Sequence, residues 1–202
     1  MNFCRAVLII FACVLAGCSS QPQKTQLVSS EASSNDAILM QIEQMIVDFR
    51  LFEAEQQLGQ IDLYSLSDQE QVYYHWLNAN LSVALGRGDA AIFSLNAVTP
   101  GAFAQLPNVD ANAPSFLRAT ALHLKEEFIA SARERMFLSG VLIDEQYESN
   151  HHAIWVSLLL AKNEDIAALA EKSTTRLFKG WLDLAPIIKR NQIDVHRQLS
   201  ML

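Results

Sequence analysis

From Asp36 onward, apolar residues return every three or four positions, the spacing that gathers side chains on one face of a helix. Ile38, Leu39, Ile42, Met45, Ile46 and Phe49 form the first stripe, with Asp36 placed to cap it. A second helix is predicted over about 52–60, turning Ala54, Leu58 and Ile61 inward. Ser67, with Glu70 three places on, has the form of a capping box. It opens a third helix, whose stripe runs through Val72, Tyr73, Trp76, Leu77, Asn80, Leu81, Ala84 and Leu85. Gly86-Arg87-Gly88 ends that stripe, and Asp89 stands where it can cap a fourth helix reaching Ala97.

Thr99 to Pro114 breaks the pattern with Pro100-Gly101 and Pro107-Asn108. Periodicity resumes at Ser115 through Phe116, Leu117, Ala121, Leu124, Phe128 and Ala132, with a division near Glu126, and Met136 to Leu142 either continues it or forms a short helix. A helix over about 148–161 carries Ala153, Ile154, Val156, Ser157, Leu159 and Leu160, and Asn163-Glu164-Asp165 is read as the turn after it. Short and long helices follow over 166–170 and 174–190, with Pro186 as a predicted kink, and a last helix from Asn191. Paired alternating runs joined by hairpin turns are missing, so the predicted fold class is all-α. Ala54 and Leu58 recur as Ala91 and Leu95, a shift of 37 residues. That is near the 34-residue period of tetratricopeptide (TPR) pairs, so the prediction becomes a TPR-like α-solenoid of antiparallel helix pairs over 36–202.

The first residues are different. Arg5 precedes an unbroken apolar run from Ala6 to Leu15, then come Ala16-Gly17-Cys18. A charged start, a short apolar middle and a small-residue cleavage site make residues 1–17 an export signal. The run is too short for a membrane span, which needs roughly 20 residues. Leu15-Ala16-Gly17-Cys18 resembles the bacterial lipobox, which implies cleavage before Cys18, a diacylglycerol on its thiol and an acyl chain on its amine. Cys18 would then be the only cysteine of the mature chain, since Cys4 and Cys13 leave with the signal. More than one acyl chain holds a protein stably at a bilayer. Ser19 rather than Asp after the cysteine implies, by the same resemblance, the periplasmic face of the outer membrane. Residues 18–35 are otherwise Ser-rich and aperiodic, a tether of roughly 20–25 Å as a random coil.

Composition narrows the function further. The net charge is −7, and loss of Arg5 with the signal makes it more negative, which argues against nucleic acid as a partner. About 185 mature residues suffice for one compact domain or a short repeat array. His151-His152 are adjacent and point about 100° apart on a helix, a poor chelating pair, so they are read as exposed or capping residues. Arg87-Gly88-Asp89 is read as a turn, and Asn80-Leu81-Ser82 matches a glycosylation sequon but is discounted because it lies inside a predicted helix. Glu126-Glu127 and Arg133-Glu134-Arg135 are read as a solvated face, and Trp155 and Trp181 as core anchors between helices. Nucleophile elbow, phosphate loop, zinc helix and catalytic thiol are all missing from the sequence. No catalytic, metal or cofactor residue is assigned, the partner-binding residues stay unassigned, and Cys18 is the one assigned site, for lipid.

Two segments carry a resemblance. Asn150-His151-His152-Ala153-Ile154-Trp155-Val156-Ser157-Leu158 and Gly180-Trp181-Leu182-Asp183-Leu184 resemble, in order and spacing, segments of the LpoA-like (LppC) outer-membrane lipoprotein activators of penicillin-binding proteins. Tyr74-His75-Trp76-Leu77 with Ala84-Leu85-Gly86-Arg87 resembles an earlier helix pair of that family. The resemblance implies a TPR-like N-terminal domain on a lipid anchor, a class A penicillin-binding protein as partner, and regulation of peptidoglycan synthesis rather than enzymatic activity. In the family a periplasmic-binding-protein-like domain follows, and Leu202 precedes any trace of it. A fragment, a truncated gene and a standalone helical member are the three readings. The alternative function is a periplasmic TPR-type scaffold for another protein or peptide. A third is a structural tether that binds peptidoglycan itself.

Overall fold

The computed structural model describes residues 34–99, 101–173 and 175–199, with side chains through Asn191. Cys18, the signal and the tether through residue 33 lie outside the described residues, while Ser34 and Asn35, read as the end of the tether, already belong to the first helix. Among the described residues the fold is all-helical: α1 (Ser34–Val47), α2 (Leu51–Leu58), α3 (Asp68–Ala84), α4 (Gly88–Asn96), α5 (Ala113–Leu124), α6 (Phe128–Leu138), α7 (Asp144–Leu160), α8 (Asn163–Lys172) and α9 (Arg176–Leu199), with short 3-10 turns at Leu63–Ser65 and Phe103–Gln105. Every substantial helix–helix contact joins helices one or two places apart in the chain. All of the described core falls within the unit that begins at Ala32.

The helix pairs are made by one turn used three times. At the end of α3 the Gly86 N–H donates to the Val83 carbonyl and the Arg87 N–H to the Ser82 carbonyl, with Gly86 at φ +74°. This is the Schellman arrangement, which satisfies the last carbonyls of a helix. Phe49 (φ +58°) closes α1 with the same two bonds to Ile46 and Met45, and Glu126 (φ +61°) closes α5 with bonds to His123 and Leu122. Arg50, Arg87 and Glu127 then start the next helix with closely similar backbone angles. Four residues further on, Ala54, Ala91 and Ser131 are fully buried at the crossing of each pair. Ala54 and Ala91, matched in the sequence, thus occupy equivalent places. The α7–α8 junction departs from the rule: Ala161 and Lys162 are both extended.

A left-handed backbone costs a residue with a Cβ roughly 1–2 kcal/mol. Phe49 bears that cost while 82% exposed, so its ring returns little by burial. Phe49→Gly is therefore expected to stabilise the fold by about 0.5–1 kcal/mol, after the extra unfolded-state freedom of glycine is subtracted. A thermal midpoint unchanged or lowered would show that the ring contributes a contact worth more than the strain.

Several boundaries differ from the periodicity. Asp36 is in the first turn of α1 rather than capping it. Asp89 is likewise inside α4, because Gly88 already belongs to the helix and lies buried against α5. The Asp89 carboxylate instead pairs with Lys125 at 3.0 Å. Asn163-Glu164-Asp165 is the first turn of α8, and α9 runs on through Pro186 as one helix to Leu199. The Ser67–Glu70 capping box forms as read, with both reciprocal bonds. In α3, Ala84 is exposed while Ala79 and Ser82 are buried, since this helix is packed by α1 and α2 on one side and by α4 and α5 on the other.

The apolar core falls into two clusters. One gathers Leu39, Ile42, Leu58, Trp76, Leu77 and Phe103 from α1 to the loop after α4. The other gathers Met136, Ile154, Leu158, Ile166, Leu182 and Ala185 from α6 to α9. Between them α5, α6 and α7 meet on small and polar residues. The Ser131 hydroxyl donates to the Ala119 carbonyl at 2.7 Å and lies 3.4 Å from the Ser157 hydroxyl, which His123 Nδ1 approaches at 3.3 Å. Asn150, 1% exposed, donates to the Arg135 carbonyl at 2.8 Å and to the Ser139 hydroxyl at 3.1 Å. Arg135 corrects the reading of 133–135 as a solvated face. Its guanidinium turns inward to Thr120 at 3.2 Å, and burial holds its pKa below the ordinary value. Arg133 does stay outside, over the Phe137 ring at 5.8 Å.

Candidate functional site

The two segments singled out on α7 and α9 come together in space. Trp155 and Trp181 meet with ring centroids 4.5 Å apart, His151 stands edge-on to Trp181 at 5.0 Å, and Tyr147 lies against His151 at 3.7 Å. Beneath this row Ile154, Leu158, Leu182 and Ala185 are fully buried. Both tryptophans are half-buried, so they cap the core at its surface rather than anchor it from within. His151 and His152 are neither capping nor alike: both sit in mid-helix, His152 exposed and His151 wedged between Tyr147 and Trp181. Among the described residues no three His, Cys, Asp or Glu side chains are grouped as a metal would require.

Helix α9 has two apolar faces. Phe178, Leu182 and Ala185 pack into the core, and Lys189 donates to the Ala161 carbonyl, fixing the helix to the α7–α8 junction. The other face carries Leu177, Gly180, Trp181 and Leu184, which with Trp155 and Arg176 line an open groove. Leu177 is 53%, Leu184 50% and Ile187 55% exposed. Contiguous exposed apolar surface of this kind marks interaction sites more often than chance placement. The sequence named Gly180 to Leu184 as a motif without showing which of its residues face outward. The signal was there in the spacing of 177, 180, 181 and 184.

A second concavity lies at the other end, between α1, α3 and the loop after α4. Met40, Glu43, Glu70, Tyr73, Leu106 and Val109 line it. The Tyr73 hydroxyl donates to Glu43 at 2.6 Å, and burial with that carboxylate pushes the phenol above its ordinary range. Glu70 accepts the Ser67 N–H at 2.7 Å. These carboxylates are engaged in structural bonds, so the cleft has the chemistry of a packed joint and not of an acid–base pair. Arg87-Gly88-Asp89 is also structural: Arg87 pairs with Glu55, Gly88 is buried, and Asp89 pairs with Lys125. No helix among the described residues is long and apolar enough to cross a membrane.

A protein from Serratia proteamaculans (strain 568), a penicillin-binding protein activator LpoA, is 27% identical over 216 residues, covering 93% of this chain and 30% of its own length. The chain thus spans under a third of the curated relative it matches. No solved structure matches it. Residues 20–202 match the family described as "LppC putative lipoprotein", so the helices, both motifs and the α7–α9 surface all fall inside the match. The chain belongs to the LppC lipoprotein family.

Proposed function

We propose that this chain is an outer-membrane lipoprotein that activates or positions a class A penicillin-binding protein, and so regulates peptidoglycan synthesis. The observation that carries this reading is the family match over 20–202, together with the relative named as a penicillin-binding protein activator. The role is regulatory rather than enzymatic. Residues 1–17 direct export, Cys18 carries the diacylglycerol and N-acyl chain, and residues 19–33 hold the folded part off the bilayer. The repeated turn at Phe49, Gly86 and Glu126, with every substantial contact among the described helices between near neighbours, supports a TPR-like stack of antiparallel pairs. Such a stack gives length: each helix of n residues adds about 1.5n Å, and a rigid rod can carry a contact surface from the membrane toward the wall.

Residues 19–202 contain the whole described core and are the part to test without lipid. Titrated against the organism's own class A penicillin-binding protein, with binding and glycan cross-linking recorded together, they should bind and raise the cross-linking rate. Binding without stimulation assigns positioning alone. No binding at about 50 μM, where a useful periplasmic contact would register, rejects the reading and favours a scaffold for another protein or peptide. Lipidation has its own test. Cys18→Ser should abolish incorporation of labelled palmitate and release the protein from the membrane fraction, and continued labelling would show that another residue bears the lipid.

A further inference from the structure

The cleft between α1, α3 and the loop after α4 does not suit proton transfer, but it suits a cation with an apolar stem. Its volume is about 240 Å³. Sites that enclose a whole small molecule run to roughly 300–1,000 Å³, so this one is sized for a single side chain. Most of its wall is apolar, from Met40 on α1 and from Leu106, Pro107 and Val109 in the loop. Met40 is 60% exposed, so this wall is open to solvent. The charged lining is acidic, with Asp36 and Glu43 from α1 and Glu70 from α3, and no described Lys or Arg lines the cleft. A metal ion is not the match, because among the described residues no three such ligands are grouped closely enough. A long organic cation is, since it can reach one carboxylate while its stem covers the apolar wall.

Glu43 and Tyr73 supply the acceptors. The Tyr73 hydroxyl gives its proton to Glu43 Oε2 at 2.6 Å. The phenol oxygen's lone pairs and Glu43 Oε1 are then two neighbouring acceptors. Burial, with the charges of Glu43 and Asp36, raises the Tyr73 pKa, so the hydroxyl keeps its proton and the field beside it is negative. Glu70 is buried and holds the Ser67 N–H, so it adds charge to the cleft rather than a bond. Arginine answers these features better than lysine: its guanidinium is planar, weakly hydrated, and bonds two adjacent oxygens at once. We propose that this cleft receives an arginine side chain of a partner polypeptide, its stem along Met40, Leu106 and Val109 and its guanidinium on Glu43 and Tyr73. The site does not depend on which partner carries the arginine, and so stands apart from the penicillin-binding protein reading.

Amide-resolved NMR of residues 19–202 tests this, with the blocked peptide acetyl-Ala-Arg-Ala-amide as probe. Shifts should saturate with a Kd of about 1 mM and stay confined to residues 36–43, 69–73 and 106–109. The same peptide with citrulline, alike in shape but uncharged, should bind at least about tenfold more weakly. Glu43→Gln keeps an acceptor for Tyr73 while removing the charge, and should weaken arginine binding about tenfold. Asp165→Asn, an equal loss of charge at an exposed position on α8, should leave binding unchanged. The spread of amide signals confirms the fold of each variant. No saturating shift by about 20 mM overturns the proposal. So does equal binding of the citrulline peptide, or unchanged binding in Glu43→Gln. Equal weakening by Glu43→Gln and Asp165→Asn overturns it too, because net charge alone then draws the peptide.

Discussion

Ile154→Ala lowers the stability of the fold by about 2–5 kcal/mol, the range seen when a large buried aliphatic side chain is removed from a core that only partly collapses. Ile154 is fully buried in the middle of α7, in the cluster with Leu158, Ile166 and Leu182 drawn from three helices. None of these neighbours can slide into the space without pulling its own helix from another contact. The loss is measured as a shift of the urea midpoint with an unchanged slope. Leu184→Ala, on the half-exposed face of α9, is the comparison and should cost under about 1 kcal/mol. Equal losses at the two positions would mean that α7 and α9 are not packed as described.

Gly88→Val is the second large effect. A Cβ on Gly88 would lie 2.5 Å from the Ala121 carbonyl oxygen, 2.7 Å from Lys125 Cγ and 3.2 Å from Leu124 Cβ. Lysine can swing aside, but the carbonyl is backbone, so α4 has to move off α5. Overpacking of this kind costs about 2–3 kcal/mol, roughly 5–10 °C in Tm for a chain of this size. Valine's better helix propensity returns only a few tenths of a kcal/mol of that. A Tm within about 2 °C of the parent would show that the α4–α5 approach is looser than described.

Local signals were read well from the sequence and tertiary ones poorly. The Ser67–Glu70 box is set by four consecutive residues, so its pattern suffices. Gly86 announces its turn because glycine accepts a left-handed backbone freely. Phe49 and Glu126 adopt the same backbone without any such mark, because packing of the flanking helices imposes it. Asp36 and Asp89 looked like caps by residue type, yet each helix begins earlier. Arg135 looked like surface by charge, and only the approach of α5 and α7 shows it turned inward. The two tryptophan-bearing segments were legible as segments, whereas their contact at 4.5 Å depends on how α9 returns beside α7.

The seam at Ala119, Ser131, Asn150 and Ser157 has a consequence for how the molecule comes apart. Apolar area supplies most of the drive to fold, and the seam has little of it, holding register instead through directional bonds between small groups. Each half keeps its own oily cluster on either side. Because α5, α6 and α7 also pack closely across this seam, the two clusters are set to melt together as one cooperative block, with amide exchange slow where these helices meet.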